Sequence, residues 1–223
     1  MTIFNGFEIR ERAAHNAEAV AALQGLPTSV IGDVMGGRIV GTTALRPVNR
    51  SPVQACGTAF TVRVRAGDNL LIHKALELLQ PGDVLVVDGE GDVTRALIGE
   101  IMMTSARARG AVAVVLDGAI RDVDAFEEHK FPCWARGVSL RGPYKDGPGS
   151  INVPITIGGM LVNPGDVIVG DSDGVVAVPQ ALAKDAALKA HDKVRDEQAT
   201  IASILAGTYT APWVDAALRQ KGL

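Results

Sequence analysis

Cysteine is scarce in this chain of 223 residues. Cys56 and Cys133 lie far apart and form no Cys-x-x-Cys motif, so neither a disulfide framework nor a structural zinc site is expected, and both are predicted as buried thiols. The four histidines form neither a His-x-His nor a His-Glu-x-x-His motif. A metal ion would therefore bind oxygen ligands, which favours Mg²⁺ or Mn²⁺.

Long apolar runs and an excess of positive charge are also missing. No stretch approaches the roughly 18 consecutive apolar residues of a membrane-spanning helix, and residues 1–16 carry several charges where a signal peptide would be apolar. The formal net charge is −3, whereas a nucleic-acid groove needs clustered Lys and Arg. We therefore expect a cytoplasmic protein that binds neither a membrane nor nucleic acid.

Aromatic residues make up only 4% of the chain, although 47% of it is hydrophobic. The core must then be built mainly from Val, Ile, Leu and Ala, which is typical of sheets with closely packed helices. The 25 glycines and 11 prolines are too many turn-forming residues for a helical bundle. Many short strands are predicted, in one domain that could carry helical extensions.

The middle third of the chain has the order strand, turn, helix, strand, which predicts a βαβ arrangement. Val84–Val87 is an all-apolar run expected as a central strand. A helix is predicted from near Gly99 to Arg109, with Gly110 just past its end. Ala111–Leu116 is predicted as a second buried strand, which Asp117-Gly118 follows.

Further elements follow from helical or alternating patterns. The other predicted helices are Ala13–Leu23, a short helix from Thr28 to Met35 that Gly36-Gly37 ends, Asn69–Leu79 capped by Asp68, and a long helix over Gln180–Leu205. The other predicted strands are Phe60–Val64 and, as a meander or part of a barrel, Val153–Ile157, Leu161–Val162, Val167–Val169 and Val175–Val178. Residues 81–91 and 164–174 share seven of eleven residues; we interpret this as a reused turn-plus-strand device rather than a duplication.

Two segments of the middle third favour a binding site. Gly99 begins a predicted helix, where the backbone N–H groups of Ile101, Met102 and Met103 would be unpaired and could receive a carboxylate. The following strand brings Arg121-Asp122 to its carboxyl end, where open α/β sheets bind ligands. Arg121 could neutralise an oxygen of a 2-oxo acid, and Asp122 could bind a cation.

From about Thr28 to Gly207 the sequence resembles the class II 4-hydroxy-4-methyl-2-oxoglutarate aldolases and the related regulators of ribonuclease E activity. The motifs that carry the resemblance are Gly57-Thr58-Ala59, Thr61-Val62, Gly67-Asp68-Asn69, Pro81-Gly82-Asp83, Gly99-Glu100, Asp117 to Asp122, Asn152-Val153-Pro154, Pro164-Gly165-Asp166 and Asp173 to Val176. The resemblance implies a swivelling β/β/α fold: a single α/β domain over 1–223 with a buried central sheet, flanking helices, an N-terminal helix within 1–27 and a helical C-terminal extension over 180–223.

The resemblance also implies an activity. It is a Mg²⁺- or Mn²⁺-dependent lyase that cleaves a 4-hydroxy-2-oxo acid to pyruvate by a retro-aldol reaction, with oxaloacetate decarboxylation as a second activity. The substrate would be of the 4-hydroxy-4-methyl-2-oxoglutarate or 4-carboxy-4-hydroxy-2-oxoadipate type. The expected assembly is a homotrimer or homohexamer with active sites between subunits.

Residue roles carry over by position. Asp122 would bind the metal directly, while Glu100 and, from a neighbouring subunit, Glu197 would hold its waters. Arg121 would contact the keto or enolate oxygen, and the amides of Ile101 and Met102, next to Gly99, would take the carboxylate. Glu100 stands where several aldolases of this kind carry Asp.

Two other functions remain open: a non-catalytic regulator that binds an endoribonuclease, and a demethylmenaquinone methyltransferase. The second ranks last, because no glycine-rich loop for S-adenosylmethionine follows a first strand. Near the expected site, His73 and Lys74 are interpreted as packed or surface residues of a helix, and residues 141–147 as a mobile polar loop that could border the substrate. Lys145 in that loop has no spacing that distinguishes it from a surface lysine.

Overall fold

The computed structural model describes residues 6–36, 41–42 and 44–223. Its strands are β1 (Phe7–Ile9), β2 (Gly41–Thr42), β3 (Arg46–Pro47), β4 (Ala55–Val64), β5 (Asp83–Asp88), β6 (Ala96–Ile98), β7 (Ala113–Ile120), β8 (Cys133–Val138), β9 (Gly149–Ile151), β10 (Ile155–Ile157), β11 (Met160–Val162), β12 (Val167–Gly170) and β13 (Val175–Val178). Its helices are α1 (Ala17–Leu23), α2 (Thr28–Val34), α3 (Leu70–Leu78), α4 (Glu100–Ala108), α5 (Val123–Glu128), α6 (Ala183–Leu205), which a 3₁₀ turn at Gln180–Leu182 precedes, and α7 (Pro212–Gln220).

A curled mixed sheet forms the centre of the domain, and its strand order is β2-β13-β12-β4-β5-β7-β8-β3. The inner strands β4, β5, β7 and β8 are parallel, and α3, α4 and α5 connect them in turn, so the predicted βαβ arrangement is confirmed. Strand β12 pairs antiparallel with β4, and β13 pairs antiparallel with β12. Strands β10 and β11 form a separate antiparallel pair. The fold is the expected single α/β domain with flanking helices and a long C-terminal helix.

The apolar core lies on both faces of this sheet. One cluster packs α3, α4 and α5 against the parallel strands, and a second packs α1, α2 and the first part of α6 against β12 and β13. A third lies under the β10–β11 pair around Trp134. Both cysteines are buried and unbridged, as predicted, and burial raises the pKa of Cys56 to about 11.

Local chemistry fixes the helix ends close to their predicted positions. Asp68 accepts the backbone N–H of Leu70 at 2.9 Å, and Gly110 ends α4 with a φ of 86° that favours glycine. Helix α1 starts later than predicted, because Asn16 caps it by accepting the N–H of Ala19. After α2, Gly36 has a φ of 71°, whereas Gly37 lies outside the described residues.

The second buried strand is longer at its carboxyl end than predicted. Asp117 and Gly118 do not follow β7 but lie within it. The carboxylate of Asp117 can be buried there because it accepts hydrogen bonds from Arg136 Nε at 2.5 Å and from the Gly158 N–H at 2.7 Å. The pairing of β7 with β8 shifts register at this point, so the strand continues to Ile120 and delivers Arg121-Asp122.

The two similar sequence segments form equivalent turns on either side of β4. Gly82 and Gly165 have φ values of 88° and 90°, and each turn carries an aspartate that accepts a backbone N–H three residues earlier, at 2.7 Å for Asp83 and 2.8 Å for Asp166. The first turn leads into β5, parallel to β4, and the second leads into β12, antiparallel to β4.

Candidate active site

A cavity of about 290 Å³ lies at the carboxyl ends of the parallel strands. Residues from five segments line it: the start of α3, strand β6, the start of α4, the link between β7 and α5, and the loop at 143–145. All of the expected site residues except Glu197 are in its wall: Gly99, Glu100, Ile101, Met102, Arg121 and Asp122.

Asp122 has an unusual backbone conformation. Its φ and ψ are 57° and 44°, in the left-handed region that non-glycine residues seldom adopt. It does not cap its own helix, α5; its Oδ2 accepts the N–H of Glu100 at 3.0 Å, at the start of α4. Its Oδ1 has no partner among the residues described, and the side chain is 44% exposed. The backbone turn therefore directs one carboxylate oxygen to α4 and leaves the other available.

Gly99 makes this arrangement possible because it lacks a side chain. A Cβ at this position would lie 2.5 Å from Oδ2 of Asp122 and 3.0 Å from Cγ of Arg121. Such approaches are too close for real carbon atoms, so any larger residue would displace both side chains. Its φ of −135° is ordinary extended backbone, so close approach rather than torsion requires glycine.

Two free amides stand next to these side chains. The N–H groups of Ile101 and Met102 have no hydrogen-bond partner in the described part of the chain. Their usual acceptors four residues earlier are occupied: the Leu97 carbonyl accepts from Asn69 Nδ2, and the Ile98 carbonyl accepts from the Arg121 N–H. The N-terminus of α4 therefore offers two donors to an anion.

Met103 does not provide a third donor, contrary to the sequence prediction. Its N–H donates to the Gly99 carbonyl at 2.9 Å, which is the first bond of the helix.

Arg121 faces the same space. Its Nε lies 3.6 Å from Oδ2 of Asp122, and its side chain is about half exposed. A half-exposed, solvent-screened pair of this kind contributes little to stability. The site thus combines a guanidinium, a carboxylate oxygen and two amides around Gly99, a set that suits an oxyanion next to a cation.

The acidic residues expected to assist lie in different places. Glu100 is exposed in the cavity wall. Glu197 lies in the exposed second part of α6, where it pairs with Lys193 at 3.1 Å, and a single chain does not bring it to the cavity. Within the described ranges, no group of three His, Cys, Asp or Glu side chains could hold a metal ion by itself.

Among the polar residues of the wall, sequence patterns did not assign Asn69 or His73 to the site, and they indicated Lys145 only through its loop, which was expected to border the substrate and does line the cavity. Burial, followed by the positive charge of Lys145, lowers the pKa of His73. Asn69 was expected only as a helix start, and its presence in a Gly-Asp-Asn motif was the one available signal. Tertiary contacts, which no spacing in the sequence reveals, bring these three together.

The loop at 141–147 is held in place rather than mobile as predicted. The Asp68 carboxylate accepts the N–H groups of Asp146 and Gly147 at 2.7 and 2.9 Å. Arg95 donates to the Gly142 carbonyl at 2.6 Å and to the Tyr144 hydroxyl at 2.9 Å. These bonds fix the backbone on either side of Lys145.

No helix within the described residues is long and apolar enough to cross a membrane. This finding concerns the helices alone.

Comparison with known proteins identifies relatives of this chain by sequence and by structure. A protein of Halalkalibacterium halodurans, provisionally named 4-hydroxy-4-methyl-2-oxoglutarate aldolase, is 41% identical over 174 residues, which is 78% of this chain and 82% of that one. An uncharacterised protein from Pseudomonas syringae has a similar structure, with a TM-score of 0.80, 26% identity and coverage of 90% and 94% of the two chains.

The RNA-processing inhibitor RraA from Thermus thermophilis is a further structural relative, with a TM-score of 0.63 and 29% identity over 69% of this chain and 92% of that one. The family model described as RraA-like, Aldolase/RraA, matches residues 28–177, a range that contains every residue of the cavity wall. The chain therefore belongs to the RraA-like family.

Proposed function

We propose that the chain is a divalent-metal-dependent lyase that cleaves a 4-hydroxy-2-oxo acid to pyruvate by a retro-aldol reaction and also decarboxylates oxaloacetate. The observation that carries the proposal is the meeting of Arg121, Asp122 and the two free amides of α4 around Gly99. The names of the relatives support the aldolase activity.

Both reactions leave an electron pair on the carbon next to the ketone, so the site must stabilise a developing enolate. In the proposed binding mode, the amides of Ile101 and Met102 take the carboxylate of the 2-oxo acid. Arg121 then faces the keto oxygen and stabilises the negative charge that develops on it. Retro-aldol cleavage also requires removal of the C4 hydroxyl proton, which we assign to a water held by Glu100 or Glu197.

The residues present fit the proposed Mg²⁺ or Mn²⁺. Asp122 has an unpartnered carboxylate oxygen in the cavity, and Glu100 adds a second carboxylate in the same wall. Magnesium sites commonly use one or two protein carboxylates, with water and substrate completing the set. A divalent cation held here would supply Lewis acidity that stabilises the developing enolate.

We further propose that Glu197 completes the site of a neighbouring subunit in a homotrimer or homohexamer. The last part of α6 and all of α7 contain no buried residues. Several apolar side chains are exposed there: Ile201, Ile204, Leu205, Trp213 and Leu218.

Mixing Glu197→Gln with Asp122→Asn subunits tests the arrangement, because mixed oligomers would regain some intact sites. Restored pyruvate release supports it, and none after demonstrated subunit exchange contradicts it.

Pyruvate release from 4-hydroxy-4-methyl-2-oxoglutarate and from oxaloacetate, coupled to lactate dehydrogenase, tests the activity. Turnover with Mg²⁺ or Mn²⁺ that a chelator abolishes is the expected result. Turnover of oxaloacetate alone would mean that the enolate-stabilising groups work but the aldol substrate differs. No turnover by folded, metal-supplemented protein would overturn the proposal and favour a regulator of an endoribonuclease, as the name of the Thermus relative suggests.

A further inference from the structure

The wall of the cavity contains a buried acceptor without a donor. Asn69 is 3% exposed, and its Oδ1 is a buried side-chain atom with no hydrogen-bond partner among the described residues. The amide cannot be turned around to change this, because Nδ2 donates to the Leu97 carbonyl at 2.9 Å. Unsatisfied buried acceptors are costly and rare, so the structure indicates a place for a hydrogen-bond donor of a ligand.

Lys145 is a cation without a counter-ion in the same wall. It has no hydrogen bond or ion pair with any described residue, although the loop that carries it is fixed by Asp68 and Arg95. Lys145 and His73, which is in the first part of α3, line the same cavity, and the charge of Lys145 contributes to lowering the pKa of His73. Because burial lowers the same pKa, His73 faces the cavity as a neutral group at pH 7.

In this wall Asn69 and His73 come from the start of α3 and Lys145 from the loop at 143–145, whereas Arg121 and Asp122, which define the Arg121 region, come from the link between β7 and α5. Helix α3 has one acidic residue, Glu77, and it forms an ion pair with Lys74 at 2.6 Å. Glu77 therefore does not neutralise Lys145. The region near α3 therefore presents one positive charge and one acceptor. A ligand group that carries both a carboxylate and a hydroxyl complements it.

We propose that Lys145 binds the distal carboxylate of the substrate and that Asn69 Oδ1 accepts a hydrogen bond from its C4 hydroxyl, so that these residues select 4-hydroxy-2-oxo dicarboxylates. This inference rests on the proposed function, since it assumes that the 2-oxo carboxylate end occupies the Arg121 region. It assigns to Asn69 and Lys145 a role in specificity, distinct from enolate stabilisation.

The affinity for two unreactive acids of equal length tests the role of Lys145. 2-Oxoglutarate and 2-oxopentanoate differ only by the distal carboxylate, and calorimetry with Mg²⁺ measures both. We expect wild-type protein to prefer 2-oxoglutarate by about five-fold or more, and Lys145→Met to reduce that ratio to about one. Lys74→Met, which removes a cation from the same vicinity but outside the cavity wall, should keep the preference. An absent preference, or one that persists in Lys145→Met, would overturn the assignment.

A hydroxylated substrate tests the role of Asn69. For Asn69→Ala we expect kcat/KM on 4-hydroxy-2-oxoglutarate to fall about ten-fold, while the affinity for 2-oxoglutarate, which lacks the hydroxyl, stays within about two-fold of wild type. An equal loss in both measurements would show that Asn69 only supports Leu97 and the fold, and the hydroxyl contact would be wrong.

Proton exchange of pyruvate separates this inference from the proposed function. Pyruvate has no distal half, so exchange of its methyl protons for deuterium, followed by NMR, reports on the proposed enolate-stabilising groups Arg121 and Asp122. Wild type and the control Lys74→Met, which lies outside the cavity wall, should exchange at equal rates. No exchange by wild type would contradict the proposed lyase. Exchange without any preference for 2-oxoglutarate would contradict only the assignment of Lys145.

Discussion

The two edges of the parallel sheet each hold an aspartate beside a turn, and the two carboxylates differ in how many hydrogen bonds they accept. At the amino end of β5, Asp83 is fully buried and receives hydrogen bonds from both terminal nitrogens of Arg12, at 2.8 and 3.1 Å, and from the Gln80 N–H. At the carboxyl end of β7, Asp122 receives one backbone N–H and leaves an oxygen unpartnered.

The difference shows what each edge contributes. A carboxylate whose oxygens are all engaged has no capacity left for a ligand, so Asp83 stabilises the fold. Asp122 is strained and only partly satisfied, which is typical of residues kept for binding or chemistry. Asp166, in the turn that resembles that of Asp83, is intermediate, because it has backbone and amide donors but no arginine.

The largest effect on activity is expected from Asp122→Asn. Asn still accepts the Glu100 N–H and tolerates the left-handed backbone, so stability should be unchanged, whereas loss of the negative charge should reduce pyruvate release about a thousand-fold. Coupled assays together with thermal unfolding measure both quantities. A marked loss of stability of Asp122→Asn with activity preserved would contradict the conclusion that Asp122 serves binding or chemistry rather than the fold.

Asp83→Ala should show the opposite pattern. Removing this carboxylate leaves Arg12 and the Gln80 N–H without their partner, which should cost about 3 kcal/mol of the free energy of unfolding. Urea denaturation measures the loss. Glu8→Ala is the matched control, since it removes an ion pair with Arg10 that is half exposed on both sides and should leave stability unchanged.

Gly99→Ala tests whether the open carboxylate depends on close approach. The added Cβ must displace Asp122 and Arg121, and misplacement by about 1 Å can cost on the order of a hundred-fold in rate. Steady-state kinetics would show the loss. Gly32→Ala provides the control, because nothing lies within 4 Å of a Cβ there, and full activity is expected. Equal activity of the two variants would contradict the role of Gly99.

The smallest effect is expected from the intermediate case, Asp166. Burial raises its pKa above the ordinary 3.8, while hydrogen bonds from Asn163 oppose the shift. The folded protein therefore holds this proton more tightly than the unfolded chain, and stability falls as the pH rises from the ordinary pKa through the raised one. Asp166→Asn removes this titration. The difference in the free energy of unfolding, variant minus wild type, should therefore be larger at about pH 7 than at about pH 4. Urea denaturation at both values would detect the difference, and no change would contradict it.

Short-range sequence patterns were sufficient to predict the helices at the sheet edge that holds Asp122. The start of α3 just after Asp68 and the end of α4 just before Gly110 follow from short-range chemistry and were predicted closely. The end of β7 was not, because the partner that allows Asp117 inside the strand is Arg136, on the next strand.

The candidate site divides in the same way. Gly99, Arg121 and Asp122 lie at a strand end and a helix start, where a pattern can place them. Asn69 and His73 reach the cavity only through contacts between distant segments, and a sequence pattern carries no record of such contacts. The loop of Lys145 was expected to border the substrate, but nothing in the sequence distinguished Lys145 within it. The proposed contribution of Glu197 depends on other subunits and stays a prediction.

One carboxylate links two parts of the cavity wall. Asp68 accepts the Leu70 N–H at the start of α3 and two N–H groups of the loop around Lys145. The separation between Asn69 and Lys145 is thus set before any ligand arrives. A ligand that bridges them would lose little conformational entropy of the protein on binding, so the region should discriminate by fit rather than by closure.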